Sequence, residues 1–216
     1  MDGADVIIIP GSKNTLEDME WLRKSGLADA IIHYAKHGGR VVGICGGFQM
    51  LGKLVKDPYG VESGVGEVEG LRLLDVETIL EREKKTYQVE AIIRSGASSQ
   101  ESGIKGYEIH MGETAGEEKP FSIITQRNSA AVKREDGAVS KDGRIWGTYI
   151  HGIFDNDEFR TICLNNIRAG RGLPEKDVIA FKDKKGDCIR VIAEAVRTGI
   201  DLQKLFVLIR PESLEY

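Results

Sequence analysis

The sequence predicts an α/β fold built on a parallel sheet, and three features of its first quarter carry that prediction. Two short apolar runs, Asp5-Val6-Ile7-Ile8-Ile9 and Arg40-Val41-Val42-Gly43-Ile44, have the continuous hydrophobicity of strands buried on both faces. A stretch with helical signals separates them. A cysteine follows the second run at once, and helical spacing resumes over 46–54 through Phe48, Met50, Leu51 and Leu54. Strand, helix, strand, turn, helix is the order that right-handed crossovers and parallel sheets require.

Pro10-Gly11 ends the first strand. Thr15-Leu16-Glu17-Asp18 reads as a capping box opening a helix, which breaks near Gly26, resumes to Lys36 and stops at His37-Gly38-Gly39. The middle of the chain changes character. Segments near 71–79, 85–94, 106–111, 121–125, 130–134 and 144–150 are short, β-prone and bounded by Gly, Asp or Ser, and predict extra strands joined by hairpins or loops such as Arg134-Glu135-Asp136-Gly137. The Ser- and Gly-rich stretch 95–103 reads as a mobile loop. A helical stripe of Phe159, Ile162, Cys163 and Ile167 marks a helix over 156–169, ended at 170–172, and 187–207 predicts one or two final helices interrupted at Thr198-Gly199. Lys182-Asp183-Lys184-Lys185 reads as a solvated charged loop.

The chain has 216 residues, 41% of them hydrophobic and 30% charged, with a net charge of −4. That suits one domain, or one domain with an appended element. No basic excess points to nucleic acid, no apolar run reaches the roughly 20 residues of a membrane span, and the N-terminus lacks the basic start of a secretory signal. Three scattered cysteines, Cys45, Cys163 and Cys188, are odd in number and read as the reduced thiols of a cytoplasmic protein rather than a disulfide framework. No pattern predicts a metal site.

Gly43-Ile44-Cys45-Gly46-Gly47-Phe48-Gln49 is the most informative stretch. A buried strand runs straight into a helix with a cysteine at the bend, which is the geometry of a nucleophile elbow. Gly46 and Gly47 remove Cβ atoms that would block close packing and substrate approach. The helix N-terminus that follows should favour thiolate over thiol, and the Gly46 N–H is available as an oxyanion donor. A lone cysteine is more often simply buried; the paired glycines and the strand–turn–helix context point the other way. Cys163 lies on an apolar helical face and is assigned to packing.

A cysteine nucleophile needs a base that works near neutral pH, and histidine suits. His33 and His37 sit at the end of the first helix and read as exposed. His110 lies on a strand, in Tyr107-Glu108-Ile109-His110-Met111-Gly112. His151 follows the strand Ile145-Trp146-Gly147-Thr148-Tyr149-Ile150. Working residues gather at the carboxyl ends of parallel strands, where Cys45 and His151 both fall. On these residues alone, either His110 or His151 could equally be an ordinary core or surface histidine. Trp146 and Tyr149 read as core.

Four motifs in order, Pro10-Gly11-Ser12-Lys13-Asn14-Thr15, Gly43 through Gly52 (Gly-Ile-Cys-Gly-Gly-Phe-Gln-Met-Leu-Gly), Gly106 through Gly112 (Gly-Tyr-Glu-Ile-His-Met-Gly) and Trp146 through Phe154 (Trp-Gly-Thr-Tyr-Ile-His-Gly-Ile-Phe), resemble the C-terminal glutaminase domain of cobyric acid synthases over residues 4–172. The resemblance implies a flavodoxin-like class I glutamine amidotransferase fold of the triad type, with a mostly parallel central sheet, helices on both faces and extra antiparallel strands. It implies Cys45 as nucleophile and His151 as general base and acid. It places Gly11, Ser12 and Gly46 at the oxyanion hole and Gln49, with Gly47, at the glutamine pocket. Glu108 and His110 belong to a motif that lines the site or faces a partner domain. The glutamate that triad enzymes carry two residues after the histidine is Ile153 here, so Asp155, Glu108 or a backbone carbonyl is left to orient His151.

The resemblance also implies partners: glutamine, and an ATP-dependent synthetase domain, in cis or in trans, that uses ATP and Mg2+ to amidate side-chain carboxylates of adenosylcobyrinic acid a,c-diamide. No Gly-x-x-x-x-Gly-Lys-[Ser/Thr] loop occurs here, so those cofactors are expected outside this chain, which itself is expected to use none. The first strand and helix of the family's domain are also expected to be missing, leaving 1–172 as the amidotransferase domain and 173–216 as a helical extension. Competing readings are a stand-alone γ-glutamyl hydrolase or peptidase on the same fold, marked by a preference for γ-glutamyl peptides, and a truncated docking domain, marked by binding to a synthetase without glutaminase activity.

Overall fold

In a computed structural model, residues 3–94, 102–202 and 204–205 are described, with the side chains of 182–185 set aside. The first half runs β1 (Val6–Ile9), α1 (Thr15–Lys24), α2 (Leu27–Lys36), β2 (Arg40–Ile44), α3 (Gly46–Leu51), β3 (Leu54–Lys56), β4 (Glu67–Glu69) and β5 (Val76–Ile93). The second half runs β6 (Gly103–Gly116), β7 (Ser122–Arg127), β8 (Ala130–Asp136), β9 (Ala138–Val139), β10 (Ile145–Thr148), β11 (Ile150–His151), α4 (Asp157–Gly170) and α5 (Phe181–Gly199). The chain divides into two units, Met1–Asp177 and Val178–Tyr216, with α5 in the second.

The sheet that carries the elbow has the order β1-β2-β10-β9. β1, β2 and β10 are parallel, and the two-residue β9 pairs antiparallel to β10. Because successive strand residues face opposite sides, Val41 packs with Leu16, Met19, Ala28 and Ile31 of α1 and α2, while its neighbour Val42 joins Trp146, Phe121 and Phe159 of α4. Helices thus cover both faces. Phe121 stacks on Trp146 at 4.3 Å between ring centroids.

The predicted middle strands form a second sheet of order β11-β6-β5-β3-β4, with β7 on β5 and β8 on β7. All of these pairings are antiparallel except β3 with β5. The segments expected at 71–79 and 85–94 belong to one long strand, β5, interrupted by a bulge. Leu80 pairs Gly112 and Lys85 pairs His110, so 81–84 face Met111 alone. The bulge adds three residues to β5, an odd number, and so reverses which residues point inward. Val76, Thr78 and Leu80 are buried before it, and Val89, Ala91 and Ile93 after it.

Several local expectations are corrected. β1 is not buried on both faces: it is an edge strand, and Ile8 is 47% exposed in an apolar groove that also includes Val42, Trp146 and Phe154. The cap of α1 is Asn14, whose side chain accepts the Glu17 N–H, because the Thr15 hydroxyl is buried against Gln49. The helix after Cys45 stops at Leu51, and Leu54 begins β3. The hairpin turn lies at Asn128-Ser129, both with positive φ as a two-residue turn requires, and not at 134–137. Residues 182–185 lie within α5 rather than a loop. The stretch 95–101 falls outside the described residues.

Candidate active site

Cys45 links β2 to α3 with φ 53° and ψ −112°, a conformation that a residue with a side chain rarely adopts. It is held at both ends: its N–H donates to the Thr148 carbonyl of β10 at 2.9 Å, and its carbonyl accepts the Gln49 N–H at 3.1 Å. The bend is pressed against the end of β1. A Cβ on Gly47 would stand 2.0 Å from the Ile9 carbonyl oxygen, so only glycine fits there. A Cβ on Gly46 would stand 2.9 Å from the Ser12 nitrogen, which places the Gly11-Ser12 loop directly on the elbow.

His151 enters from the far end of the chain. β10 delivers it past Tyr149, and β11 pairs it opposite Tyr107 on β6, whose ring stacks on the imidazole at 5.1 Å between centroids and 7° between planes. A Cβ on Gly11 would touch both reacting groups, 3.3 Å from His151 Cε1 and 3.4 Å from Cys45 Cβ. The sequence thus placed Cys45, His151, Gly11, Ser12 and Gly46 in one neighbourhood, and the structure brings them together. All but Gly46 line a cavity of about 620 Å3 that also takes in Gln49, Glu62, Lys84, Tyr107, Ile109 and His110.

The backbone of β6 determines the proton inventory of the pair. The Cys45 thiol donates to the Ile109 carbonyl at 3.4 Å, and the Ile109 backbone acts to raise the His151 pKa. His151 Nε2 is buried with no partner among the described residues. In the neutral tautomer that carries its hydrogen on Nδ1, Nε2 is the basic lone pair. Burial holds the imidazole below its ordinary pKa, more than the Ile109 bond raises it. Burial likewise pushes the Cys45 thiol up to about 11, and the Gly46 N–H on the sulfur only partly offsets this. The thiolate expected from the helix N-terminus is therefore not the resting form. A six-residue helix and one N–H do not outweigh desolvation, and the resting pair is neutral thiol and neutral imidazole.

The other sequence candidates separate into distinct roles. Gln49 is 2% exposed and both ends of its amide are engaged: Oε1 accepts the Thr15 hydroxyl at 3.0 Å and Nε2 donates to the Tyr149 hydroxyl at 3.3 Å. It forms the floor of the cavity by tying α1, α3 and the Tyr149 corner together. Glu108 is clasped by Arg127 through two bonds of 2.7 and 2.8 Å and lies 3.4 Å from His110 Nε2. Burial opposes its charge, but these hydrogen bonds prevail and hold the carboxyl below its usual range. His110 stacks on Tyr149 at 3.9 Å and bonds the Gly112 carbonyl at 2.8 Å. Asp155 faces the position of a Gly152 Cβ, 3.8 Å away, and lines a separate cavity with Tyr107 and Lys105. Of the three groups left to orient His151, Glu108 is committed to Arg127 and His110, and the backbone that acts on the ring is that of Ile109. Among the described residues no group of three His, Cys, Asp or Glu is placed to hold a metal, and no helix is long and apolar enough to cross a membrane.

Two contributions were not readable beforehand. The Ile109 carbonyl has no side-chain signature at all. Asp136, expected in a loop, is buried and accepts the Thr148 and Ser122 hydroxyls and the Tyr149 N–H at 2.5, 3.1 and 3.0 Å. It braces the bend between β10 and β11 from which His151 projects. Burial raises its pKa more than these donors lower it.

Comparison with known proteins agrees with this geometry. The family model described as the CobB/CobQ-like glutamine amidotransferase domain matches residues 1–159. Cobyric acid synthase of Thermoanaerobacter sp. (strain X514) is 45% identical over 210 residues, covering 94% of this chain and 41% of the relative. Cobyric acid synthase of Syntrophobacter fumaroxidans is 43% identical over 211 residues, with the same coverage of 94% and 41%. The chain therefore spans about two-fifths of the length of these curated relatives. Among solved structures, PurLQS from Thermotoga maritima superposes with a TM-score of 0.51 at 18% identity, covering 77% of this chain and 82% of that one, a likeness of fold. A cysteine bent out of β2 to meet a histidine beyond β10 is thus set in a sequence that the family model follows across both, and the chain belongs to the CobB/CobQ-like glutamine amidotransferase domain family.

Proposed function

We propose that this chain is the glutamine-hydrolysing part of a cobyric acid synthase, releasing ammonia for the amidation of corrinoid side-chain carboxylates. The observation that carries the reading is the meeting of Cys45, His151 and the Gly11 loop at one point of the cavity. The Cys45 sulfur attacks the side-chain amide carbon of glutamine while its proton passes to His151 Nε2. The N–H groups of Gly46 and of the Gly11-Ser12 loop face the developing oxyanion; loss of one such donor typically costs roughly 2.7–4 kcal/mol. The C–N bond then breaks, and His151 returns the proton to the departing ammonia. A γ-glutamyl thioester remains, which His151 hydrolyses by taking a proton from water, releasing glutamate and the Cys45 thiol.

The ammonia would be consumed by an ATP- and Mg2+-dependent synthetase domain, in cis or in trans, acting on adenosylcobyrinic acid a,c-diamide in the cytoplasm. The share of the relatives that this chain does not span is large enough to hold such a domain. The test is glutamine hydrolysis by the chain, alone and with the synthetase part, in wild type and Cys45→Ala. Diazo-oxo-norleucine should label Cys45 and no other cysteine. Substantial glutaminase activity in Cys45→Ala, or labelling confined to Cys163 or Cys188, overturns the reading.

A further inference from the structure

The cavity around Cys45 carries charges that acyl transfer does not use. Glu62 and Lys84 both line it and act on the sulfur with opposite sign, Glu62 disfavouring the thiolate and Lys84 favouring it. Two separate devices bring them there. The loop between β3 and β4 is gathered by Asp57, whose carboxylate accepts the N–H groups of Val61, Glu62 and Ser63 at 2.8, 2.9 and 3.1 Å. Glu62 is then pinned by one oxygen, Oε2, to the Thr15 N–H at 2.7 Å in the first turn of α1. Lys84 rides the β5 bulge, the three-residue excess opposite Met111. Without that excess β5 would pair continuously with β6. Bulges of this kind re-aim side chains next to sites.

Free glutamine carries an ammonium and a carboxylate on one carbon, three bonds from the amide carbon that Cys45 would attack. A pocket that recognised only the amide would accept asparagine-like and peptide-bound amides as well. A negative and a positive side chain beside the same sulfur match the two charges of the amino-acid head group. The geometry points to Glu62 as the acceptor for the α-ammonium of glutamine and Lys84 as the partner of its α-carboxylate, so that the site selects the free amino acid. This rests on the glutaminase reading and names its specificity residues. Lys13 also lines the cavity and is the alternative cation.

The test crosses substrates with variants. Ammonia release from the full chain is measured with L-glutamine, with glutaramate, which lacks the ammonium, and with 4-aminobutanamide, which lacks the carboxylate. In parallel, each compound's protection of Cys45 against iodoacetamide reports binding without turnover. Glu62→Gln should lower kcat/KM for glutamine and 4-aminobutanamide by about 10–100-fold, mainly through KM, with glutaramate shifting about twofold at most. Lys84→Ala should lower glutamine and glutaramate by a similar factor and spare 4-aminobutanamide. Equal loss on all three amides, no loss on glutamine, or the Lys84 pattern appearing in Lys13→Ala instead overturns the assignment. A wild-type chain that releases no ammonia, alone or with the synthetase part, overturns the glutaminase reading; the protection pattern then still decides whether Glu62 and Lys84 hold the head group.

Discussion

Cys45 and His151 are both under the influence of one backbone position, Ile109: its carbonyl oxygen accepts the Cys45 thiol at 3.4 Å, and its backbone acts to raise the His151 pKa. That carbonyl gives the resting thiol hydrogen somewhere to point that is not the base.

The first prediction concerns pH. Burial raises the Cys45 thiol to about 11 and lowers His151. Alkylation of Cys45 by iodoacetamide needs thiolate, so in the absence of glutamine its rate should climb with pH toward a midpoint near 11. A base whose pKa is depressed stays neutral to lower pH, so the acid limb of kcat/KM should fall below the ordinary histidine value. A resting alkylation midpoint below neutrality would show a preformed thiolate and contradict the neutral pair.

Backbone strain at the elbow gives a second prediction. With φ at 53°, Cys45→Gly removes a Cβ from a conformation that costs of order 1–3 kcal/mol for other residues. Cys45→Gly should therefore be more stable than Cys45→Ala by about 1 kcal/mol, the reverse of the usual order for glycine and alanine. Denaturant midpoints of the two variants decide it, and both should lack glutaminase activity.

Two neighbouring glycines should respond differently to the same substitution. Gly11→Ala places a methyl at ordinary contact distance of the Cys45 Cβ and slightly inside it for His151 Cε1. It should leave the thermal midpoint close to wild type while lowering kcat at least tenfold, since small displacements of reacting groups are costly. Gly47→Ala drives its methyl into the Ile9 carbonyl at 2.0 Å, where no side chain can yield, and should fold poorly or not at all. Thermal melts alongside glutaminase assays distinguish the two.

Asp136 provides a fourth. Asp136→Ala strands two hydroxyls and the Tyr149 N–H in the interior, at about 1–3 kcal/mol for each group left unsatisfied. Asp136→Asn keeps an oxygen for the Tyr149 N–H, and the hydroxyls can rotate to accept from its amide. It should retain most of the stability and most of the activity. Equal damage from both would mean that the charge, not the hydrogen bonding, is what the site needs.

The parallel strands, the elbow at Cys45 and the break between α1 and α2 were legible in the sequence alone, as was the arrival of His151 soon after β10, though the structure ends that strand at Thr148 and sets His151 in β11. Each depends on local rules: apolar runs, glycine at a close approach, and the spacing of one element. The β5 segments on either side of 81–84 were legible for the same reason, since alternation holds within each and fails between them.

What the tertiary structure alone decided was how those pieces act on one another. Ile109 offers a backbone oxygen that no side-chain pattern announces. Asp136 reads as an ordinary loop residue until distant partners enclose it. The Cys45 thiol, which local geometry says should ionise, is instead protonated because the fold removes water from it. Desolvation and hydrogen-bond satisfaction depend on every residue packed around a group, and those residues come from β6, β10 and the β3–β4 loop, far away in the chain.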